Sequence, residues 1–220
     1  MEQQFWLNKW RDHEIKWHQE KVTPDLIKYA DKLELRAGDA ILVPLCGKSK
    51  DMLWLADRGY HVIGVELSQI ACEDFFNELH VKPAISQSAK FKKYQYKNME
   101  IFCGDIFDMT SSQLPEIKAI FDCRALIALP PDMRQKYVNH LTTCTANKAG
   151  ILLLTIESQN EIAGPPFSID SKEVNSLYVS DFSIQQLKHE AANKIQQHLV
   201  DKGYASMIEG AYLLIPKGKE

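Results

Sequence analysis

The sequence has no long hydrophobic run. Its longest apolar stretch, Ile151 to Ile156, is far too short to cross a bilayer, and no apolar segment of signal-peptide length opens the chain. The expectation is a cytoplasmic protein with no membrane contact and no secretion. Cysteine is sparse: five residues, at 46, 72, 103, 123 and 144, form no Cys-x-x-Cys pair, so neither a disulfide framework nor a zinc knuckle is suggested. A reducing compartment fits that usage. Seven histidines fall outside any His-x-x-x-His or His-Glu-x-x-His spacing, which leaves no recognisable metal site, and none is expected. Positive charge is not in excess either, and a formal net charge of −3 gives no global field for nucleic acid. Internal repeats, low-complexity tracts and Gly/Ser linkers are absent as well.

What is present is an ordinary globular composition, 45% hydrophobic over 220 residues, enough for one domain spanning 1–220. Ala40 to Val43 reads as a buried strand, Ser49 to Arg58 as a helix stopped by Gly59, and His61 to Val65 as a second strand, which together imply a parallel strand-helix-strand unit. Leu67 to Leu79 reads as the next helix, Met99 to Cys103 as a third strand, Ala119 to Phe121 as a fourth, Met133 to Asn147 as a helix and Gly150 to Ile156 as a fifth strand. This alternation predicts a doubly wound, mostly parallel α/β sheet. A further helix is predicted over about Ile184 to Lys202. Ser206 to Ile208 and Tyr212 to Ile215 then read as an antiparallel hairpin turning at Glu209-Gly210.

The stretch Val43-Pro-Leu-Cys-Gly-Lys-Ser49 ends in the last letters of a phosphate loop, but the first glycine that G-x-x-x-x-G-K-[ST] requires is replaced by Leu42. The dinucleotide fingerprint fails too, because Ser49 and Met52 stand where further glycines are needed. A glycine turn after one strand and an acid, Glu66, at the end of the next survive. A carboxylate there can accept both ribose hydroxyls of an adenosine-containing cofactor, or it can cap the following helix. With phosphate contacts disfavoured, the matching cofactor is S-adenosyl-L-methionine, whose product is S-adenosyl-L-homocysteine.

These residues resemble the thiopurine S-methyltransferases, a family with the Rossmann-like class I methyltransferase fold. The shared pieces are Trp6-x3-Trp10, Trp17-His18-Gln19, Pro44-Leu-Cys-Gly-Lys48, Asp57-Arg-Gly59, Gly64-Val-Glu-Leu-Ser68, Ile106-Phe-Asp108, Asp122-x-Arg124-Ala-Leu126 and Gly164-Pro-Pro-Phe167. The resemblance implies that Trp10, Leu45, Glu66, Asp105, Ile106 and Arg124 line the cofactor site. Asp105 has a second reading, as a turn former with Gly104. Residues 1–30 would form an N-terminal helical lid, with Trp17 and Phe167 as flat walls for the acceptor. His18 stays open between a base and a structural histidine.

The implied reaction is a detoxifying one. The sulfur of a small-molecule thiol attacks the cofactor methyl group in line, in a monomeric enzyme needing no metal. Arg124, the candidate catalytic group, can hold a thiolate or a ring nitrogen of the acceptor, or clamp the cofactor carboxylate. Selenium or tellurium compounds are alternative acceptors, and a non-catalytic adenosine-ligand sensor is the alternative from another class.

Overall fold

Short strands of branched residues, buried from end to end, build the centre of the fold. The computed structural model describes residues 3–158, 160 and 163–218, and the chain divides into two compact units, Met1–Phe121 and Asp122–Glu220. In the first, α1 (Gln3–Arg11) and α2 (Pro24–Tyr29) precede β1 (Ala40–Pro44), α3 (Lys50–Asp57), β2 (His61–Glu66) and α4 (Gln69–Glu78). The hairpin β3 (Ala84–Ser88) and β4 (Phe91–Tyr96) follows, then β5 (Met99–Cys103) and β6 (Ile117–Cys123). The strand order is β3-β4-β5-β2-β1-β6, with β5, β2, β1 and β6 parallel and the hairpin antiparallel at one edge.

That order places the site. The chain leaves β1 toward β2 on one side and comes back as β6 on the other, so the direction of winding reverses at β1. In open α/β sheets ligands bind outside the carboxyl ends of the strands at such a switch point. Side chains fix where the helices begin: Ser49 caps α3 by accepting the Asp51 N–H at 3.1 Å, and Ser68 caps α4 by accepting that of Ala71 at 3.4 Å. Gly59, at φ +86°, ends α3 as the sequence implies.

The second unit holds α5 (Pro131–Cys144), β7 (Gly150–Glu157), α6 (Ser171–Tyr178), β8 (Phe182–Ala191), α7 (Gln197–Val200) and β9 (Ile208–Pro216). β9 pairs antiparallel with both β7 and β8. The expected helix over 184–202 is therefore a correction: its first part, up to Ala191, belongs to β8, and only four residues are helical, in α7. A register shift between Gln186 and Lys188 interrupts the strand's alternation, which hides the period of two from the sequence. The expected turn at Glu209-Gly210 is also corrected, since β9 runs straight through it. A Cβ at Gly210 would stand 2.5 Å from Thr155 Oγ1, so this glycine serves close approach of β9 to β7 and makes no turn. The C-terminal antiparallel pair exists, built from β8 and β9. Two strands and a helix went unread: β3 is exposed along its length and offers no apolar signal, β4 buries Phe91 and Tyr94 at a helix-like spacing of three, and α6 is only eight residues long.

Packing is tight where β2 passes beneath the loop after β1. A Cβ on Gly64 would fall 2.6 Å from Cys46 Sγ and 2.9 Å from Met52 Cε. Gly64→Ala is expected to cost about 1–3 kcal/mol by overpacking, and Cys46→Ala in the same chain to recover much of that. Urea unfolding of both single variants and the double variant measures the coupling. Strictly additive losses would show that the sulfur is not the obstacle.

Candidate active site

In the first unit the loops leaving three adjacent parallel strands carry the expected cofactor residues: Leu45 after β1, Glu66 at the end of β2, and Asp105 with Ile106 after β5. Leu45 and Gly47 take left-handed φ angles of +48° and +54°, so the chain reverses at once on leaving the sheet. For leucine that conformation costs roughly 1–2 kcal/mol. Such strain persists only where the surroundings impose it, and it gathers at functional sites.

What imposes it is Glu66, which is 6% exposed. Its Oε2 accepts the Gly47 N–H at 2.9 Å and its Oε1 the Ser68 N–H at 2.7 Å. Burial pushes this carboxyl above the ordinary glutamate range, against the downward pull of the amides. An ionised carboxylate offers about four acceptor positions. The Leu67 amide adds a weaker backbone interaction, and the positions not turned to these amides leave capacity for a ribose hydroxyl. The side chain at the N-cap of α4 is that of Ser68, not of Glu66.

Asp105 caps the short turn Ile106–Asp108, its Oδ1 accepting the Phe107 N–H at 3.0 Å, while its Oδ2 accepts Gln3 Nε2 at 2.6 Å. The turn-forming reading of Asp105 is thus realised, and Ile106 beside it is buried. Helix α1 lies across these loops. Gln3 meets Asp105 after β5, and a Cβ on Gly47, after β1, would stand 3.2 Å from Cζ2 of the Trp10 indole. Seven helical residues advance about 10.5 Å, close to the roughly 9.6 Å between strands two places apart. Length and sheet spacing therefore match. Trp17 packs edge-on to Trp6 at 5.3 Å and to Trp10 at 6.1 Å, which joins the expected acceptor wall to the helix over the cofactor loops.

The segment behind Trp17 is pinned by buried polar groups. The two carboxylate oxygens of Asp51 accept the Thr23 N–H at 2.7 Å and the Thr23 hydroxyl at 2.9 Å, with the Ser49 hydroxyl at 3.0 Å. His18 Nε2 stands 3.3 Å from a Glu20 oxygen without hydrogen-bond geometry. Burial, then Lys48, lowers the His18 pKa, so the imidazole is neutral near pH 7.

In the second unit Arg124 follows directly on β6 with a φ of +69°. Its Nη1 donates to Cys123 Sγ at 3.3 Å and, among the described residues, its guanidinium forms no ion pair. Asp122, fully buried, accepts the Leu126 N–H at 3.0 Å and the Tyr137 hydroxyl at 2.8 Å. Burial raises its pKa to about 6. A carboxyl shifted upward burdens the fold, since stability falls as pH rises from the ordinary aspartate range to about 6.

Phe167 is half-buried; its N–H donates to the Ile127 carbonyl at 2.7 Å and its ring folds back on Gly164. Arg134, 1% exposed, sets its guanidinium 5.8 Å from the ring centroid while Nε donates to the Leu129 carbonyl at 3.0 Å and Nη1 pairs with Glu173. The remaining nitrogen, Nη2, has no hydrogen-bond acceptor. The ring face offers it an electrostatic partner in place of one. Tyr204 donates to the Pro166 carbonyl at 2.7 Å and Lys202 to that of Pro165, so both prolines of the Gly-Pro-Pro-Phe loop are held. Gln3, Asp51, Arg134 and Tyr204 escaped sequence reasoning, because each acts on a partner 28 to 102 residues away that no local pattern names.

Comparisons with known proteins give the family and the fold. The sequence profile of the family described as Thiopurine S-methyltransferase matches residues 1–217. Among curated relatives, a thiopurine S-methyltransferase of Marinobacter nauticus is 42% identical over 188 residues, 85% of this chain and 86% of its own. One from Pseudomonas aeruginosa (strain UCBPP-PA14) is 37% identical over 215 residues, covering 97% and 99%. Among solved structures, the Burkholderia thailandensis 1,6-didemethyltoxoflavin-N1-methyltransferase, with 1,6-didemethyltoxoflavin and S-adenosylhomocysteine bound, superposes with a TM-score of 0.68 at 10% identity, over 98% of this chain and 87% of that one. A TehB-like SAM-dependent methyltransferase from Corynebacterium glutamicum gives 0.56 at 13% identity over 98% of each chain. These two show the class I methyltransferase fold.

Glu66→Gln puts an amide where two N–H donors already point. It is expected to weaken S-adenosylhomocysteine binding by about 1–3 kcal/mol, roughly 5- to 150-fold, with the fold intact. Because the pKa of Glu66 is raised, affinity in the parent chain should fall as pH drops through a point above the usual carboxylate range, and the variant should lack that acid limb. Calorimetric titration across pH checks both. An unchanged dissociation constant would remove the ribose role.

Proposed function

This chain belongs to the thiopurine S-methyltransferase family, and on that premise we propose that it moves a methyl group to the sulfur of a small aromatic or heterocyclic thiol of the thiopurine type. S-adenosylmethionine is the donor and S-adenosylhomocysteine the product. The observation that carries the reading is Glu66, a buried carboxylate at the end of β2 with acceptor capacity beyond the Gly47 and Ser68 amides. In the proposal it takes the ribose, Leu45 and Gly47 let the backbone approach the methionine part, and Ile106 and Trp10 are apolar walls. Asp105 takes the adenine amino group, sharing or displacing Gln3.

A thiolate attacking a sulfonium annihilates charge, so the transition state is less polar than the reactants. A dry, apolar surface favours it, and positioning supplies most of the remaining help. Trp17 and Phe167 are proposed to hold the flat acceptor. Arg124, whose guanidinium is not neutralised by a carboxylate among the described residues, is proposed to hold the anionic sulfur or a ring nitrogen. His18, neutral and flanked by Glu20, is assigned to anchoring the N-terminal segment. The reading includes a cytoplasmic role in detoxification, supported by five free cysteines. The proposal takes a single chain as the working unit.

The test is a methylation assay with aromatic thiols, selenite and tellurite, beside calorimetric binding of S-adenosylhomocysteine. Turnover of aromatic thiols is expected; binding without turnover of any acceptor would favour a sensor, and turnover of selenite or tellurite alone would move the acceptor class. Arg124→Lys keeps the charge and loses the planar fork. It is expected to lose activity toward ionised and un-ionised thiols alike, by about tenfold or more. Near-complete recovery at high pH for un-ionised thiols would make ionisation the main role. Collapse of cofactor affinity alone would assign Arg124 to the cofactor carboxylate.

A further inference from the structure

We propose that Asp122 and Tyr137 are positioning residues for Arg124, holding the turn that aims its guanidinium. The inference rests on Arg124 as the acceptor-side group. A non-glycine residue at φ +69° does not hold that conformation unaided. The Asp122 carboxylate closes the turn from inside: Oδ1 accepts the Leu126 N–H at 3.0 Å, and the Ala125 amide adds a further backbone bond. Oδ2 is engaged by the Tyr137 hydroxyl of α5 at 2.8 Å, which stops the carboxylate from rotating off the amides.

The charge of Asp122 is directed inward, while Arg124 reaches Cys123 and forms no ion pair with it. The groups facing the carboxylate are Tyr137 from α5 and Tyr178 from α6, both fully buried phenols whose pKa values are pushed far up and which remain neutral. No cation among them stabilises Asp122, so its charge is carried by three hydrogen bonds. A neutral side chain would fill this place without a buried charge, yet it could not receive two amides and a hydroxyl together. The carboxylate is thereby tied to the geometry of the Arg124 turn.

The Tyr137 hydrogen bond pulls the Asp122 pKa down against burial. Tyr137→Phe should therefore move the acid limb of kcat/KM for the thiol, expected near pH 6 in the parent, to higher pH, with about a tenfold loss at pH 7. S-adenosylhomocysteine affinity should stay within about twofold. Asp122→Asn should abolish the limb and lose more activity; if it does not fold, Tyr137→Phe alone decides. A folded Tyr137→Phe with a lowered melting temperature but unshifted limb and unchanged kcat/KM would overturn the proposal and leave a structural role. Arg124→Lys is the control: if it is harmless, Arg124 is not the acceptor-side group and both readings fall. If it is harmful while Tyr137→Phe is not, only the positioning proposal falls.

Discussion

The carboxylate of Glu66 is the contact on which the first unit's carboxyl edge depends. Burying a charge in protein is costly by several kcal/mol unless hydrogen bonds compensate, and here the compensation comes from the amides of Gly47 and Ser68. Each bond fixes a loop. The Gly47 bond holds the turn after β1 in its left-handed course and places Trp10 against it; the Ser68 bond sets the entry to α4. Gly64 lets β2 pass under Cys46 and Met52 closely enough for both to reach one side chain.

The same device recurs around the chain. Asp105 receives the Phe107 amide, Asp122 that of Leu126, and Asp51 that of Thr23, so four carboxylates fix loops by accepting backbone N–H groups. Charged acceptors make stronger hydrogen bonds than neutral ones. They hold strained residues such as Leu45 and Arg124 where neutral turns would relax. Order at the site comes from polar knots on a sheet, with hydrophobic packing supplying the platform beneath.

The central strands were legible because they are continuous runs of buried, branched residues: β1, β2 and β7 are found within one or two residues of the reading. β8 was not, because its one-residue shift at Gln186/Lys188 destroys the alternation and leaves a composition rich in Gln, Lys and Glu that reads as helix. Gly210 was misread because a glycine required by a neighbouring Thr155 looks the same in sequence as one required by a turn. The position of Glu66 at a strand end could be read from the sequence. Gln3 and Asp51 could not, since their roles exist only through partners brought close by folding.

The Gly-Lys-Ser letters after β1 gain a physical meaning from this arrangement. In a phosphate loop the glycine amides and the lysine face a polyanion. Here the Gly47 amide faces the protein's own carboxylate, Lys48 pairs with Glu78, and the Ser49 hydroxyl caps α3 while bonding Asp51. Each of these three groups is engaged by an internal carboxylate. The edge is left acidic, with Glu66 and Asp105 presenting acceptors, and that polarity disfavours triphosphates while suiting a ligand with ribose hydroxyls, an amino group and a positive sulfur. Pointing the Gly47 amide at Glu66 thus withholds it from a phosphate and leaves this strand edge acidic.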